Sequence, residues 1–510
     1  MTDRALLRFL DQPENAAPVS GPDDWIDDKP REECGVFGVF GSEDAAVLTA
    51  LGLHGLQHRG QEGCGIATFD GERFHTERYL GLVGDNFGGD KPKRLPGYSA
   101  LGHTRYATQG GQVIRNVQPL FADLSVGGFA IAHNGNLTNA RALREQLVED
   151  GAIFQSTSDT ECILQLIARS RRAKVVDRFV EALHQIEGAY ALGCLTNNML
   201  IGARDPIGIR PLVLGDRDGA IIIASETCAL DMIGARFVRT IEPGEVFVAT
   251  KGRDGKIKTE SHFPFGHRQA RPCIFEYVYF ARPDSIMDGR SVYDIRKRMG
   301  MRLAQETAAE VDVIVPVPDS GVPAAMGYSL EAKLPFELGI IRNHYVGRTF
   351  IQPKQAIRDI GVRLKHAANK GVIEGKRVLL VDDSIVRGTT SKKIVQMVRD
   401  AGAKEVHFRS ASPPIKFPDF YGIDMPSVDQ LMAAHHSVEE MTKLLGVDSL
   451  GYLSVEGLYW AMGAEKRNAA NPQFTDHCFT GDYPTRILDH EADRASKEFQ
   501  LSLLAEAAAE

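Results

Sequence analysis

No apolar run in the 510 residues approaches the roughly 18 needed to cross a bilayer, which excludes a transmembrane helix. Positive charge is in deficit as well. The 59 Lys and Arg face 67 Asp and Glu, and the net charge of -8 has the wrong sign for a general nucleic-acid binder. Cysteines are few, scattered and odd in number, seven in all, so no disulfide framework is expected and a reducing, cytoplasmic compartment is. The chain start lacks the basic opening and apolar core of a signal peptide. Residues 1–33 are instead acidic, with Asp23, Asp24, Asp27, Asp28, Glu32 and Glu33, and are broken by Pro13, Pro18, Pro22 and Pro30. Internal repeats and low-complexity tracts are missing too. What remains, 43% hydrophobic and 25% charged residues, is the composition of a soluble globular protein, and the length calls for two or three domains.

The most informative string is Lys376-Arg-Val-Leu-Leu-Val-Asp-Asp-Ser-Ile-Val-Arg-Gly-Thr-Thr390. The unbroken apolar run Val378–Val381 reads as a strand buried on both faces. It ends in a carboxylate pair, Asp382 and Asp383, and a short loop then opens onto a helix-forming stretch, Ser391–Asp400. Free N–H groups and the macrodipole at a helix start favour a phosphate. Paired carboxylates at a strand's carboxyl end suit sugar hydroxyls or a hard cation. No Gly-Lys-Ser/Thr follows a four-residue spacer, so this is not a Walker A loop. The segment resembles the binding signature of type I phosphoribosyltransferases for phosphoribosyl diphosphate (PRPP). That resemblance implies PRPP contacts from Asp382, Asp383, Ser384, Arg387, Gly388, Thr389 and Thr390.

Around this motif the pattern alternates strand and helix: Val311–Val317, the turn Pro318–Gly321, Leu338–Ile341, the motif itself, then Glu405–Arg409. Such alternation predicts right-handed crossovers and a parallel sheet. Ser320, with Asp382 and Asp383, is a candidate Mg²⁺ ligand, direct or through water. The basic stretch Gly347–Lys365, containing Lys354, Arg358 and Arg363, is a candidate for closing over a diphosphate; its alternative is an exposed loop.

From Gly35 to about Gly266 the chain reads as α+β. Strands are expected at Gly35–Phe40, Phe129–His133, Tyr190–Cys194, Ala220–Ala224 and Glu245–Ala249. Helices are expected at Ala45–Gln57, Ala140–Glu149 and Glu161–Ser170, the last opened by a capping box, Ser158-Asp-Thr-Glu161. A Pro-, Gly- and His-rich linker lies around Phe263–Pro272, and Ala492–Glu510 is helix-forming. Five short strings stand out: Glu32-Glu-Cys-Gly-Val-Phe-Gly38, Gln57-His-Arg-Gly-Gln-Glu-Gly63, His103-Thr-Arg-Tyr-Ala-Thr108, Ala132-His-Asn-Gly-Asn136 and Ser158-Asp-Thr-Glu161. Singly they are weak, since a lone Cys is more often a small buried hydrophobe and His-Asn-Gly-Asn has a tight turn as its bland alternative.

In this order, over about Cys34–Ala249, the strings resemble the class II (N-terminal nucleophile) glutamine amidotransferases. The resemblance implies Cys34 as nucleophile, with residues 1–33 as a propeptide whose removal supplies an α-amine base. It also implies Asn134 and Gly135 as oxyanion donors, Arg105 on the glutamine α-carboxylate, Asp159 on the α-amine, and Arg59 and Gly60 lining the pocket. The expected fold is an αββα sandwich at 34–266, then an α/β phosphoribosyltransferase domain at 267–470 and a C-terminal extension at 471–510.

An ammonia-releasing half ahead of a PRPP half resembles the glutamine phosphoribosylpyrophosphate amidotransferase family. Tyr277–Ser285 and Leu453–Gly457 extend the match. The implied reaction converts glutamine, PRPP and water to 5-phosphoribosylamine, glutamate and pyrophosphate, the first committed step of purine synthesis, with ammonia passing through a shielded channel. One Mg²⁺ per subunit, a homo-oligomer (dimer or tetramer) and inhibition by purine nucleotides are implied as well. The propeptide-bearing branch often carries a [4Fe–4S] cluster on four cysteines. Here only Cys273 survives: the second position falls at Asp419, and the Cys-x-x-Cys expected just before Cys478 is replaced at Pro472 and Thr475. No iron–sulfur centre is expected.

Overall fold

A computed structural model describes residues 34–106, 113–252, 255–343 and 366–491. The acidic leader, the basic 347–365 stretch with Lys354, and the helix expected over 492–510 lie outside the described residues.

Two antiparallel sheets face each other in the first half. One has seven strands in the order Arg236–Thr240, Val213–Arg217, Ala220–Ala224, Gly35–Phe40, Ser99–Arg105, Gly63–Phe69, Phe74–Leu80. The other has six: Ile257–His262, Val246–Lys251, Met199–Arg204, Gly188–Thr196, Gly127–Leu137, Leu120–Leu124. Strand alternation explains how each serves two cores. Val36 and Phe40 join Leu101, Ala130, Ala132 and Leu195 between the sheets. Phe37 and Val39 point outward to the helices Ala45–Gly55 and Thr227–Met232. The six-stranded sheet is covered by Ala140–Glu149, Thr160–Arg169 and Val175–Leu183. This is the expected αββα sandwich.

Four strands, Val313–Pro316, Arg377–Asp382, Glu405–Ser410 and Ser449–Tyr452, form the parallel sheet of the second half. Val378 and Leu380 enter the core on one face, with Ile394 and Val398 of the helix Thr389–Asp400. Leu379 and Val381 enter the core on the other, with the helices Val292–Glu306 and Val322–Ala332. That second core also takes in Ala189 and Ile209 from the first half. One apolar cluster therefore spans both.

Three sequence readings are corrected. Leu338–Ile341 is not part of the parallel sheet: Ile340–Arg342 pairs antiparallel with His366–Ala368 in a separate ribbon, and Ile341 is exposed. Ala132–Asn136 is no turn but the continuous strand Gly127–Leu137, paired residue for residue with Gly188–Thr196. The capping box is not formed either. Asp159 caps the helix by accepting from Thr160 N, while the Glu161 carboxylate accepts from Gln155 N and Ser156 N in the preceding loop.

Candidate functional site

Cys34 immediately precedes the strand Gly35–Phe40, and Arg105 ends its neighbour Ser99–Arg105. By alternation, both side chains point toward the space between the sheets, as Val36 and Leu101 do. Asn134, two residues beyond Ala132, points into that space from the opposite sheet. The sheets meet here through His103, whose Nε2 lies 3.1 Å from the His133 carbonyl oxygen. Burial holds His103 neutral, its pKa lowered to about 3, so it is not an imidazolium beside the cysteine.

The Cys34 Sγ lies 3.4 Å from the Tyr106 carbonyl oxygen. Burial pushes its thiol up to about 11, and the Arg105 charge offsets this only in part. A thiol this reluctant to ionise needs a base at hand before it can attack. Burial also works against the Asp159 carboxylate, yet His133 and the N–H groups of Leu137 and Thr160 hold it below its usual range. Asp159 is thus a fixed negative charge, and Arg105 a positive one, beside the same sulfur.

The Asn134 side chain is fully buried, and neither its amide nitrogen nor its oxygen has a hydrogen-bond partner among the described residues. An unmatched buried amide costs about 1–3 kcal/mol, so it marks a place where a ligand supplies the missing partner. Gly135 follows with φ of 134°, a conformation that glycine tolerates. A Cβ there would sit 2.1 Å from the Ala189 carbonyl oxygen.

Gly60 stands directly against the strand end, since a Cβ on it would lie 2.7 Å from the Arg105 backbone. The Arg59 guanidinium turns to the junction between the halves. It is fully buried and binds Glu226 and, at 2.5 Å, Glu276. Sequence reasoning missed this network, which also includes Arg210, 3.4 Å from Glu276.

In the second half the motif behaves as its pattern predicts. The strand ends at Asp382, whose Oδ1 accepts from Asp383 N at 2.9 Å. Ser384 Oγ donates to Asp383 Oδ1 at 2.6 Å. Gly388, at φ 77°, turns the chain into the helix Thr389–Asp400, leaving Thr389 and Thr390 at its N-terminus. Arg387 Nε donates to Gln430 Oε1. The Ser320 turn lies against the strand end, since a Cβ on Gly321 would be 2.4 Å from the Val381 carbonyl oxygen. Ser320 and the two carboxylates thus gather hard oxygen donors at neighbouring strand ends, a set that fits Mg²⁺.

A short segment of the second half, Phe420–Gly422, packs against the strand that carries Asn134 and Gly135. Asn136 Nδ2 donates to the Phe420 carbonyl at 3.0 Å, and a Cβ on Gly422 would lie 3.0 Å from Gly135 Cα. Arg210 Nε holds the Tyr421 carbonyl at 3.0 Å. The backbone of the oxyanion candidate therefore rests on the second half of the chain.

A cubane cluster does not fit its expected locus. Cys273 bridges to Thr475, whose hydroxyl donates to the Arg271 carbonyl, and Asp419 offers oxygen rather than sulfur. Cys478, however, does lie beside Asp419.

Two domain families match the chain: a glutamine amidotransferase domain over residues 103–232 and a phosphoribosyl transferase domain over 284–410. An amidophosphoribosyltransferase from Rhizobium etli is 60% identical over 486 residues, covering 95% of this chain and 98% of the relative. One from Bacillus subtilis is 49% identical over 458 residues, 90% and 95% respectively. The solved structure of glutamine PRPP amidotransferase from B. subtilis, complexed with ADP and GMP, superposes with a TM-score of 0.83 at 48% identity. It covers 89% of this chain and 98% of that one.

Proposed function

This chain belongs to the amidophosphoribosyltransferases, and from that premise we propose how its residues divide the work. The enzyme takes nitrogen from glutamine and places it on C1 of PRPP, giving 5-phosphoribosylamine, glutamate and pyrophosphate, the first step of purine biosynthesis.

Cys34 Sγ attacks the glutamine side-chain carbonyl. With the thiol held near 11, the base must be intimate. Removal of residues 1–33 supplies one, because a free Cys34 α-amine of pKa about 7.7–8 is usable at neutral pH. That amine takes the thiol proton and passes it to the departing ammonia; water then cleaves the thioester. Arg105 holds the substrate α-carboxylate, Asp159 its ammonium group, and Gly60 the pocket edge. The Asn134 amide and Gly135 N–H meet the oxyanion.

At the second site, Thr389, Thr390 and the N–H groups of the 384–390 loop bind the 5-phosphate, and Asp382 and Asp383 hold the ribose. Mg²⁺, held by Ser320 and the two carboxylates, would neutralise the growing charge on pyrophosphate. Lys354 would meet the same leaving group. Purine nucleotides as inhibitors and a homo-oligomeric assembly belong to this reading; the structure of the B. subtilis relative holds ADP and GMP. No helix among the described residues is long and apolar enough to cross a membrane, and a cytoplasmic site of action fits the seven unpaired cysteines.

The observation that carries this reading is the partnerless Asn134 amide, buried between the sheets. Asn134→Ala is expected to lower kcat for glutamine hydrolysis about 10²–10³-fold, with ammonia-dependent synthesis retained. Equal loss of both activities would remove Asn134 from the oxyanion role. The α-amine mechanism has its own check. Intact-mass measurement of active enzyme is expected to show a chain beginning at Cys34, and full activity with Met1 retained would defeat it.

A further inference from the structure

Asp419, His477 and Cys478 lie outside both reaction sites, and their donor atoms fall within 4.8 Å of one another. His477 Nε2 is 2.7 Å from Asp419 Oδ2 and 3.3 Å from Cys478 Sγ. The Asp419 side chain is 0% exposed and that of His477 1%. Beyond that close approach to the imidazole, Asp419 Oδ2 has no hydrogen-bond partner among the described residues. A buried carboxylate oxygen left in this state calls for something between it and its neighbours.

From this geometry we propose a binding site for a single Zn²⁺ held by Asp419 Oδ2, His477 Nε2 and Cys478 Sγ. Tetrahedral zinc with these ligands has edges of roughly 3.3 Å for N–O and 3.5 Å for N–S. The observed 2.7 and 3.3 Å need only a small outward relaxation to reach them. One carboxylate and one thiolate neutralise the dication, so binding forms a Zn–S bond and sends the Cys478 proton to solvent. The mixed sulfur, nitrogen and oxygen set suits zinc and is too soft for Mg²⁺. Water or the Cys273 thiol, which is near enough to influence that of Cys478, would fill the fourth position. A cysteine–histidine catalytic pair is disfavoured, because all three side chains are shut away from any substrate.

The place of the site in the fold gives it a purpose. Asp419 Oδ1 accepts from Tyr421 N at 2.7 Å and Ile423 N at 2.8 Å, shaping the turn that carries Phe420 to Asn136 and Gly422 to Gly135. His477 and Cys478 belong to the helix His477–Thr480. Zinc would clamp that turn to the helix and hold the support of the oxyanion strand.

The test is metal analysis of the full-length enzyme together with cobalt substitution. About one zinc per chain is expected, either as purified or after incubation with Zn²⁺ followed by desalting. Co²⁺-loaded enzyme is expected to show a near-ultraviolet thiolate-to-cobalt band that Cys478→Ser abolishes and Cys34→Ala leaves intact. Removing metal with a strong chelator is expected to lower Tm, and Zn²⁺ to restore it. Failure of the unmodified enzyme to retain zinc or cobalt at stoichiometric level would overturn the proposal. So would a cobalt spectrum indifferent to Cys478→Ser. The first result requires no variant at all, and neither bears on the assignments at Cys34 or Asp382.

Discussion

Cys34→Ala is expected to reduce glutamine-dependent synthesis by about 10³-fold or more and to leave synthesis from ammonium salts close to that of the unaltered enzyme. The reason is spatial. Cys34 sits at the end of a sheet whose core is separate from the one beside Asp382, and the charged groups that act on its sulfur, Arg105, Asp159 and Glu62, belong to the first half. Removing one half-buried sulfur atom leaves the strand Gly35–Phe40 and its pairing intact. Steady-state assays with each nitrogen source separate the outcomes. Loss of both activities would mean that Cys34 does not act only on glutamine.

Replacing Asp382 and Asp383 together by Asn gives the complementary result. Synthesis is expected to fall on the order of 10²-fold or more with either nitrogen source, because both routes converge on one ribosyl carbon. Asn keeps each side chain's size and oxygen acceptor, so Asp383 N and Ser384 Oγ retain their partners and the strand end holds its shape. What is lost is charge. Glutamine hydrolysis measured without PRPP should persist, and a double variant with normal PRPP turnover would dismiss the carboxylates from the site.

The sequence was most legible where burial was total. Val378–Val381 serves a core on each face, so it had to be apolar throughout, and its run predicted both the strand and its position within the sheet. The expected strands Gly35–Phe40, buried throughout, and Ala220–Ala224, buried at every position but Ile221, match the structure end to end. Phe74–Leu80 escaped notice. As the edge of the seven-stranded sheet it carries Glu77 and Arg78 and alternates between half-buried and exposed positions, which leaves no apolar signature.

Within the glutamine site, the short strings supplied the chemistry but not its support. His133–Asn136 looks like a turn by composition, yet pairing with Gly188–Thr196 keeps it extended and hides Asn134. The network of Arg59 with Glu226 and Glu276 joins positions 167 and 217 residues apart, and no local pattern encodes such distant partners. Breaking a pair this deeply buried leaves an uncompensated charge, which explains why so polar a group persists at the junction. The contact of Gly422 with Gly135 was equally invisible, since only the folded chain brings a loop of the second half onto the strand of the first.

The central claim is that nitrogen freed at Cys34 is captured at the ribose above Asp382 and Asp383 without leaving the enzyme. The direct measurement supplies glutamine labelled with ¹⁵N in its side-chain amide, PRPP and excess unlabelled ammonium, and reads the isotope in 5-phosphoribosylamine by mass spectrometry. Predominant ¹⁵N in the product is the predicted result, because the proposed transfer delivers the freed ammonia directly to the second site ahead of exchange with ammonia in solution. Label diluted to the ratio in solution would contradict it.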